Sequence, residues 1–208
     1  MNLRTVFAVV TLCLVATSAR ADIVFSTSAT DAFAGSDLVM NNGTSSSMFV
    51  WVSTEPGQTL AGISIDILSS DAAILQATSH EVFDPEGDRW FTTDSGDLGD
   101  LVDDGLGLAL IGLNGEGIST GDLGTFTLFS EVQFQATGVG TTGLSFDFGS
   151  QGISDGDTSF GPGDITFGTG SVSSLTAVPE PGSFAVLGLA GLGMGIYRRR
   201  RSSTAKEC

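Results

Sequence analysis

The chain has 208 residues, of which 41% are hydrophobic, and it carries 24 acidic residues against eight basic ones. This length accommodates one domain of ordinary size with short appendages, and the hydrophobic content excludes a chain that is disordered throughout. The formal net charge is −16 and the sequence pI is near 4.1. These values argue against nucleic acid as a partner, because the phosphate backbone is bound by basic surfaces.

The charge is distributed unevenly along the chain. Every acidic residue except Glu180 and Glu207 lies within 22–178, whereas Arg89 is the one basic residue of that segment. Such a body is strongly solvated, repels copies of itself and attracts divalent cations.

The N-terminal segment has the pattern of a signal peptide over residues 1–21. Arg4 supplies the positive charge, Val6 to Ala16 is a short apolar run, and Ala19-Arg20-Ala21 matches the small-x-small cleavage rule. The apolar run is too short for a membrane span. The sequence therefore predicts passage through an export machinery and cleavage between Ala21 and Asp22.

Residues 22–177 have the pattern of an all-β body. Strands are predicted where apolar residues alternate with polar ones or form short runs between turn residues. The predicted strands span 23–26, 49–53, 63–67, 73–77, 106–113, 124–135, 144–148 and 164–167. Turn dipeptides such as Asn42-Gly43 and Pro56-Gly57 separate them, Asn42-Gly43 being of the hairpin type. Short strands, frequent glycines and no amphipathic helix predict an antiparallel β-sandwich.

Parts of this body resemble cohesin-type modules. The resemblance lies in Gly57 to Ile67 with Ala73-Ile74-Leu75, and later in Leu123 to Leu128, Gly138 to Thr142 and Leu144-Ser145-Phe146. It implies a jelly-roll sandwich of the kind that binds dockerin modules. No dockerin-contact residue can be assigned to this chain from it.

The body shows no catalytic motif. His80 is its one histidine, no Gly-x-Ser-x-Gly element is present, and Cys13 and Cys208 both lie outside it. A pair of carboxylates could still serve in glycoside hydrolysis, with Trp51 or Trp90 lining a sugar site. The alternation around Trp51 favours a place in the core for that residue.

Calcium is the one cofactor that the composition suggests. Asp94, Asp97 and Asp100 crowd one segment, and Asp155 and Asp157 lie in a Gly-rich loop. Calcium takes six to eight oxygen ligands, which such loops supply, although neither segment follows the EF-hand pattern. Acidic loops that only keep an exported protein soluble would contain the same residues.

The C-terminal segment, 178–202, has three parts in a fixed order. Pro179-Glu180-Pro181 is followed by an apolar stretch ending at Tyr197 and by four arginines, Arg198, Arg199, Arg200 and Arg201. Gly182 to Tyr197 comprises 16 residues, which is short for a transmembrane helix of about 20. The arginines would hold its end on the cytoplasmic side.

This tail resembles the PEP-CTERM sorting signal of Gram-negative bacteria. In that family the signal is recognised by exosortase, a membrane-embedded enzyme that processes the protein near the Pro-Glu-Pro motif. The resemblance implies an inner-membrane intermediate followed by release to the cell surface or extracellular matrix. An ordinary membrane anchor with incidental prolines is the alternative.

Two hypotheses for the function follow. The first is a non-enzymatic, exosortase-sorted surface or matrix protein whose β-sandwich is structural or binds an extracellular protein or polysaccharide. The second is an extracellular hydrolase that uses carboxylates. A carboxylate pair in a cleft beside aromatic side chains would distinguish the second from the first.

Overall fold

The computed structural model describes residues 20–83, 90–94, 101, 105–112 and 117–176. The chain divides into two compact units, 1–174 and 175–208, and only Leu175 and Thr176 of the second unit are described. The described ranges contain twelve strands: β1 (Ala21–Ser26), β2 (Asp37–Asn41), β3 (Ser45–Thr54), β4 (Gly62–Ser69), β5 (Leu75–Val82), β6 (Trp90–Asp94), β7 (Leu106–Gly112), β8 (Thr127–Ala136), β9 (Gly140–Ser154), β10 (Ser159–Phe160), β11 (Ile165–Phe167) and β12 (Gly170–Leu175).

These strands form the two sheets of a sandwich. The first, called sheet A, has the order β11-β1-β3-β8-β5, and the second, sheet B, has the order β2-β12-β9-β4-β7-β6 with β10 paired to β9. The pairs β1–β3, β3–β8, β4–β9 and β4–β7 are antiparallel, as predicted, although β1 also pairs with β11 in parallel. The predicted all-β class and two-layer architecture are confirmed.

The core lies between the two sheets and follows from the alternation in the strands. Ile63, Ile65 and Ile67 of β4 are at most 1% exposed, because residues two apart on a strand point to the same side. From the facing sheet, Phe25 stacks on Phe146 with ring centroids 3.9 Å apart and an interplanar angle of 12°. Burial of such side chains is the main source of stability in a body without disulfides.

Four strands were not predicted: β2, β6, β10 and β12. The segment of β12, Gly-Ser-Val-Ser-Ser-Leu, buries Val172 and Ser174 between small residues, and this leaves little hydrophobic alternation to detect. Asn42-Gly43 does form a turn, with Gly43 at φ +84°. It is not a hairpin, however, because it joins β2 of sheet B to β3 of sheet A.

Among the described residues, no helix has the length and apolar character needed to cross a bilayer. Residues 1–19 of the predicted signal peptide lie outside the described residues. The predicted membrane helix after Gly182 lies outside them as well.

Candidate functional site

Part of the outer face of sheet A, around Trp51 of β3, is covered by the chain itself. Trp51 lies opposite Val24 in the β1–β3 register, one position from the core residue Val52, so it points away from the core. It is nevertheless only 8% exposed, and its indole Nε1 donates to the carbonyl of Ser28 at 3.2 Å. The segment 27–36, called the cover below, therefore packs over Trp51. Trp51 is buried as predicted, but beneath a loop and outside the main core.

Specific contacts hold the cover in place. The Ser26 hydroxyl donates to the carbonyl of Asp31 at 2.6 Å, and the backbone N–H of Phe33 donates to the Asp31 carboxylate at 2.8 Å. At its far end, Phe33 meets Phe126 edge to face, with centroids 5.3 Å apart. This geometry is favourable for an aromatic pair, although Phe33 itself is 73% exposed.

The outer face of sheet B is open along its central strand. The outward residues of β9 are exposed and small or polar: Thr141, Gly143, Ser145 and Asp147. The flanking positions on β12 are Ser171, opposite Gly143, and Ser173, whose hydroxyl lies 3.0 Å from that of Thr141. We call these outward residues of β9 and β12, with Asp66 and Leu68 of β4, the open face.

Two aspartates lie side by side on the open face. Asp66 of β4 is directly opposite Asp147 of β9 in the antiparallel register. The Asp147 carboxylate accepts the backbone N–H of Phe148 at 2.7 Å. Like charges directly opposite each other on a sheet are destabilising by a fraction of a kcal/mol to about 1 kcal/mol. The two strand patterns each place their aspartate outward, but the sequence does not show the register that brings them together.

The predicted acidic loop at 155–157 forms the turn between β9 and β10. Asp155 accepts the backbone N–H groups of Thr158 at 2.6 Å and of Asp157 at 3.1 Å through the same carboxylate oxygen. The hydrogen bond from Thr158 is the main reason why the pKa of Asp155 lies below its ordinary value. The neighbouring Asp164 accepts the N–H of Gly161 at 3.0 Å and lies 3.6 Å from Arg20 Nε. These carboxylates thus serve local turns and an ion pair.

The residues predicted to bind calcium are not brought together by the described part of the chain. Within it, no group of three or more acidic, histidine or cysteine side chains is placed to hold a metal ion. Asp97 and Asp100 lie outside the described residues, and only the backbone of Asp94 is described, on β6. Calcium binding therefore stays a prediction.

The residues of the predicted sorting signal, Pro179-Glu180-Pro181 and Arg198 to Arg201, also lie outside the described residues. Their sequence is informative nonetheless, because residues 177–201 match the family model described as the PEP-CTERM protein-sorting motif. The chain carries a PEP-CTERM sorting signal. The motif indicates export and sorting to the cell surface.

The body preceding the PEP-CTERM motif is similar to solved cohesin modules, while no curated protein matches the chain. The cohesin module of a family 33 glycoside hydrolase from Clostridium perfringens is 11% identical with a TM-score of 0.51, covering 76% of this chain and 99% of the module. The third cohesin ScaC of Acetivibrio cellulolyticus, solved in complex with the ScaB dockerin, is 11% identical with a TM-score of 0.53, covering 75% and 99%. At this identity the likeness establishes a cohesin-like fold and leaves the function to be argued from the surface.

Proposed function

We propose that this protein is exported, processed by an exosortase-type enzyme and displayed at the cell surface or in the extracellular matrix, where its β-sandwich binds another macromolecule without catalysis. The observation that carries the proposal is the match of residues 177–201 to the sorting motif. The preceding body is acidic throughout, with Arg89 as its one basic residue between 22 and 178. The four arginines after the apolar stretch would stay in the cytoplasm by the positive-inside rule, which leaves the body on the outer side of the membrane.

The open face is the binding surface in this proposal. On the other outer face, the cover lies over Trp51 of β3, so a partner binding at that strand would first have to displace it. On the open face, Ser145 and Asp147 stand exposed on a strand whose backbone is fixed by β4 and β12 on either side. A rigid strand surface presents its side chains to a partner without the entropic cost of ordering a loop.

Charge indicates the kind of partner. Asp66 and Asp147 form an adjacent pair on the open face, and the segment 22–178 contains all but two of the 24 acidic residues of the chain with Arg89 as its one basic residue. Complementary potentials accelerate association and fix the orientation of partners. We therefore expect an extracellular protein with lysine or arginine at its contact surface, of which a dockerin-like module is one example. An anionic polysaccharide would be repelled.

The hydrolase alternative rests on the same pair of aspartates. Glycoside hydrolysis needs two carboxyl groups flanking a scissile bond, and a sugar site is expected to carry aromatic side chains beside them. Asp66 and Asp147 lie side by side, but none of the residues that define the open face is aromatic. Nothing else in the described residues favours that alternative over binding.

The sorting part of the proposal is tested with the full-length protein in its own host. Replacing Pro179 and Pro181 by alanine should leave export intact but cause the unprocessed form to accumulate in the inner membrane. Intact-mass measurement should find the native surface protein without Phe184 to Arg201. Pro56→Ala, in an exposed turn of the body, is the matched control and should be processed normally.

A native surface protein that keeps Phe184 to Arg201, with no effect of the two proline substitutions, would contradict this proposal. The tail would then be a plain membrane anchor.

A further inference from the structure

The first strand of the sandwich begins before the cleavage site that the sequence predicts. Ala21 is fully buried, belongs to the core between the sheets, and is paired with Thr54 of β3 and with Ile165 of β11. Cleavage between Ala21 and Asp22 would remove this residue from the exported protein. It would also uncover its two neighbours, which are 0% and 7% exposed in the folded chain.

Arg20 is tied into the same corner by its backbone. Its N–H donates to the carbonyl of Asp164 at 2.6 Å, and its own carbonyl accepts the N–H of Glu55 at 2.9 Å. The N–H of Ala21 donates to the same Asp164 carbonyl at 3.3 Å. Loss of Arg20 and Ala21 would leave the Glu55 N–H and the Asp164 carbonyl without these partners, and unpaired backbone groups are costly where they are shielded from water.

The side chain of Arg20 adds two contacts. Its Nε lies 3.6 Å from the Asp164 carboxylate, and its guanidinium carbon lies 5.5 Å from the centroid of the Phe160 ring, within the range of a cation–π contact. Arg20 thus connects β1 with β10 and with the turn before β11. Because Arg89 is the one basic residue of 22–178, a body that keeps Arg20 has two positively charged side chains, and one of them makes these contacts.

From these contacts we infer that the exported protein keeps Arg20 and Ala21, and that signal peptidase cleaves upstream of Arg20. The sequence offers small residues at the two required positions two residues earlier, in Thr17-Ser18-Ala19. Hydrolysis of the bond after Ala19 consumes one water and leaves a carboxylate on Ala19 and an α-ammonium on Arg20. The mature body then carries two basic residues, Arg20 and Arg89.

Intact-mass measurement of the exported full-length protein, with sequencing of its N-terminus, tests this inference. A first residue at or before Arg20 supports it, whereas a first residue at Ala21 or later overturns it. This result does not depend on the processing of the C-terminal tail, because the N-terminus is read directly.

Two matched variants of the precursor test the same inference by pulse-chase labelling. Ala21→Leu should be matured at the wild-type rate, although leucine at this buried position is expected to impair folding. Since signal peptides are removed from chains that have not yet folded, the ratio of precursor to mature protein remains informative. Ala19→Leu should slow maturation at least tenfold or move the cut further upstream. Accumulation of precursor with Ala21→Leu and not with Ala19→Leu would overturn the inference.

Discussion

The two outer faces of the sandwich differ in their chemistry and in what lies on them. On sheet A the outward residues of the middle strand include Trp51, and the chain folds its own segment 27–36 over it. On sheet B the outward residues of the middle strand are Thr141, Gly143, Ser145 and Asp147, and they remain exposed. Removing a large apolar side chain such as Trp51 from water is favourable, and here the protein supplies the cover itself. The polar face needs no such cover and is left for a partner.

The largest loss of stability is expected from truncating Trp51, the side chain beneath the cover. Trp51→Ala should lower the free energy of unfolding by about 3 kcal/mol or more, because truncation of a buried tryptophan leaves a cavity. Urea unfolding followed by circular dichroism would measure it. Phe33→Ala, at the exposed end of the cover, is the control and should cost less than about 1 kcal/mol. If both substitutions lowered the free energy of unfolding by the same amount, burial of Trp51 beneath the cover would not be a specific source of stability.

A pair of glycines on β9 tests how closely sheet B is packed at two points. A Cβ at Gly149 would lie 2.3 Å from the Ser64 hydroxyl oxygen and 2.9 Å from the Ser64 carbonyl carbon, whereas a Cβ at Gly143 would have its nearest neighbour at 3.6 Å. Gly149→Ala should therefore cost about 1–3 kcal/mol of stability, and Gly143→Ala almost none. Thermal unfolding of both variants would measure the two stability losses. A lower melting temperature for Gly143→Ala would mean that the open face has no room for a methyl group at Gly143.

The smallest loss of stability is expected from substituting Asp155 in the turn between β9 and β10. The pKa of Asp155 lies below its ordinary value of 3.8, chiefly through the hydrogen bond from Thr158. The ionised carboxylate therefore stabilises the fold fully above that value, and the stabilisation is lost as the pH falls through the lower folded-state pKa.

Asp155→Ala should consequently lower the melting temperature slightly at neutral pH, and the difference from wild type should narrow in acid. Asp157→Ala, in the same exposed loop, is the control, because it leaves the hydrogen bond between Thr158 and Asp155 in place. A deficit of Asp155→Ala that stayed constant down to strongly acidic pH would show that the charge of Asp155 does not contribute.

Much of the fold could be predicted from periodicity. The alternation of Ile63, Ile65 and Ile67 with polar residues gave a strand with one buried side, and that strand is central in sheet B. The tail could be recognised because its three parts are contiguous in the sequence. Local patterns of this kind need no knowledge of the three-dimensional arrangement.

Features that depend on distant contacts could not be predicted in the same way. The strand around Trp51 has apolar residues on both of its faces. Nothing in this pattern shows that segment 27–36 folds back over the outer face at Trp51. The adjacency of Asp66 and Asp147 depends on strand register, which pairing between distant segments determines. For the same reason, the small-x-small rule at Ala19-Arg20-Ala21 gives no indication that Ala21 is a core residue of β1.

The central claim, that the open face binds the partner, is tested most directly by two charge reversals with the same change in net charge. Asp147→Lys alters the open face, and Glu131→Lys alters β8 on the outer side of sheet A, where Glu131 lies opposite Phe49. Each purified, fluorescently labelled variant is added to cells of the producing bacterium that lack their own copy of the gene, and the bound fraction is measured as a function of protein concentration. We expect Asp147→Lys to bind at least tenfold more weakly than wild type and Glu131→Lys to bind like wild type. Wild-type binding by Asp147→Lys, or an equal loss in both variants, would contradict the claim.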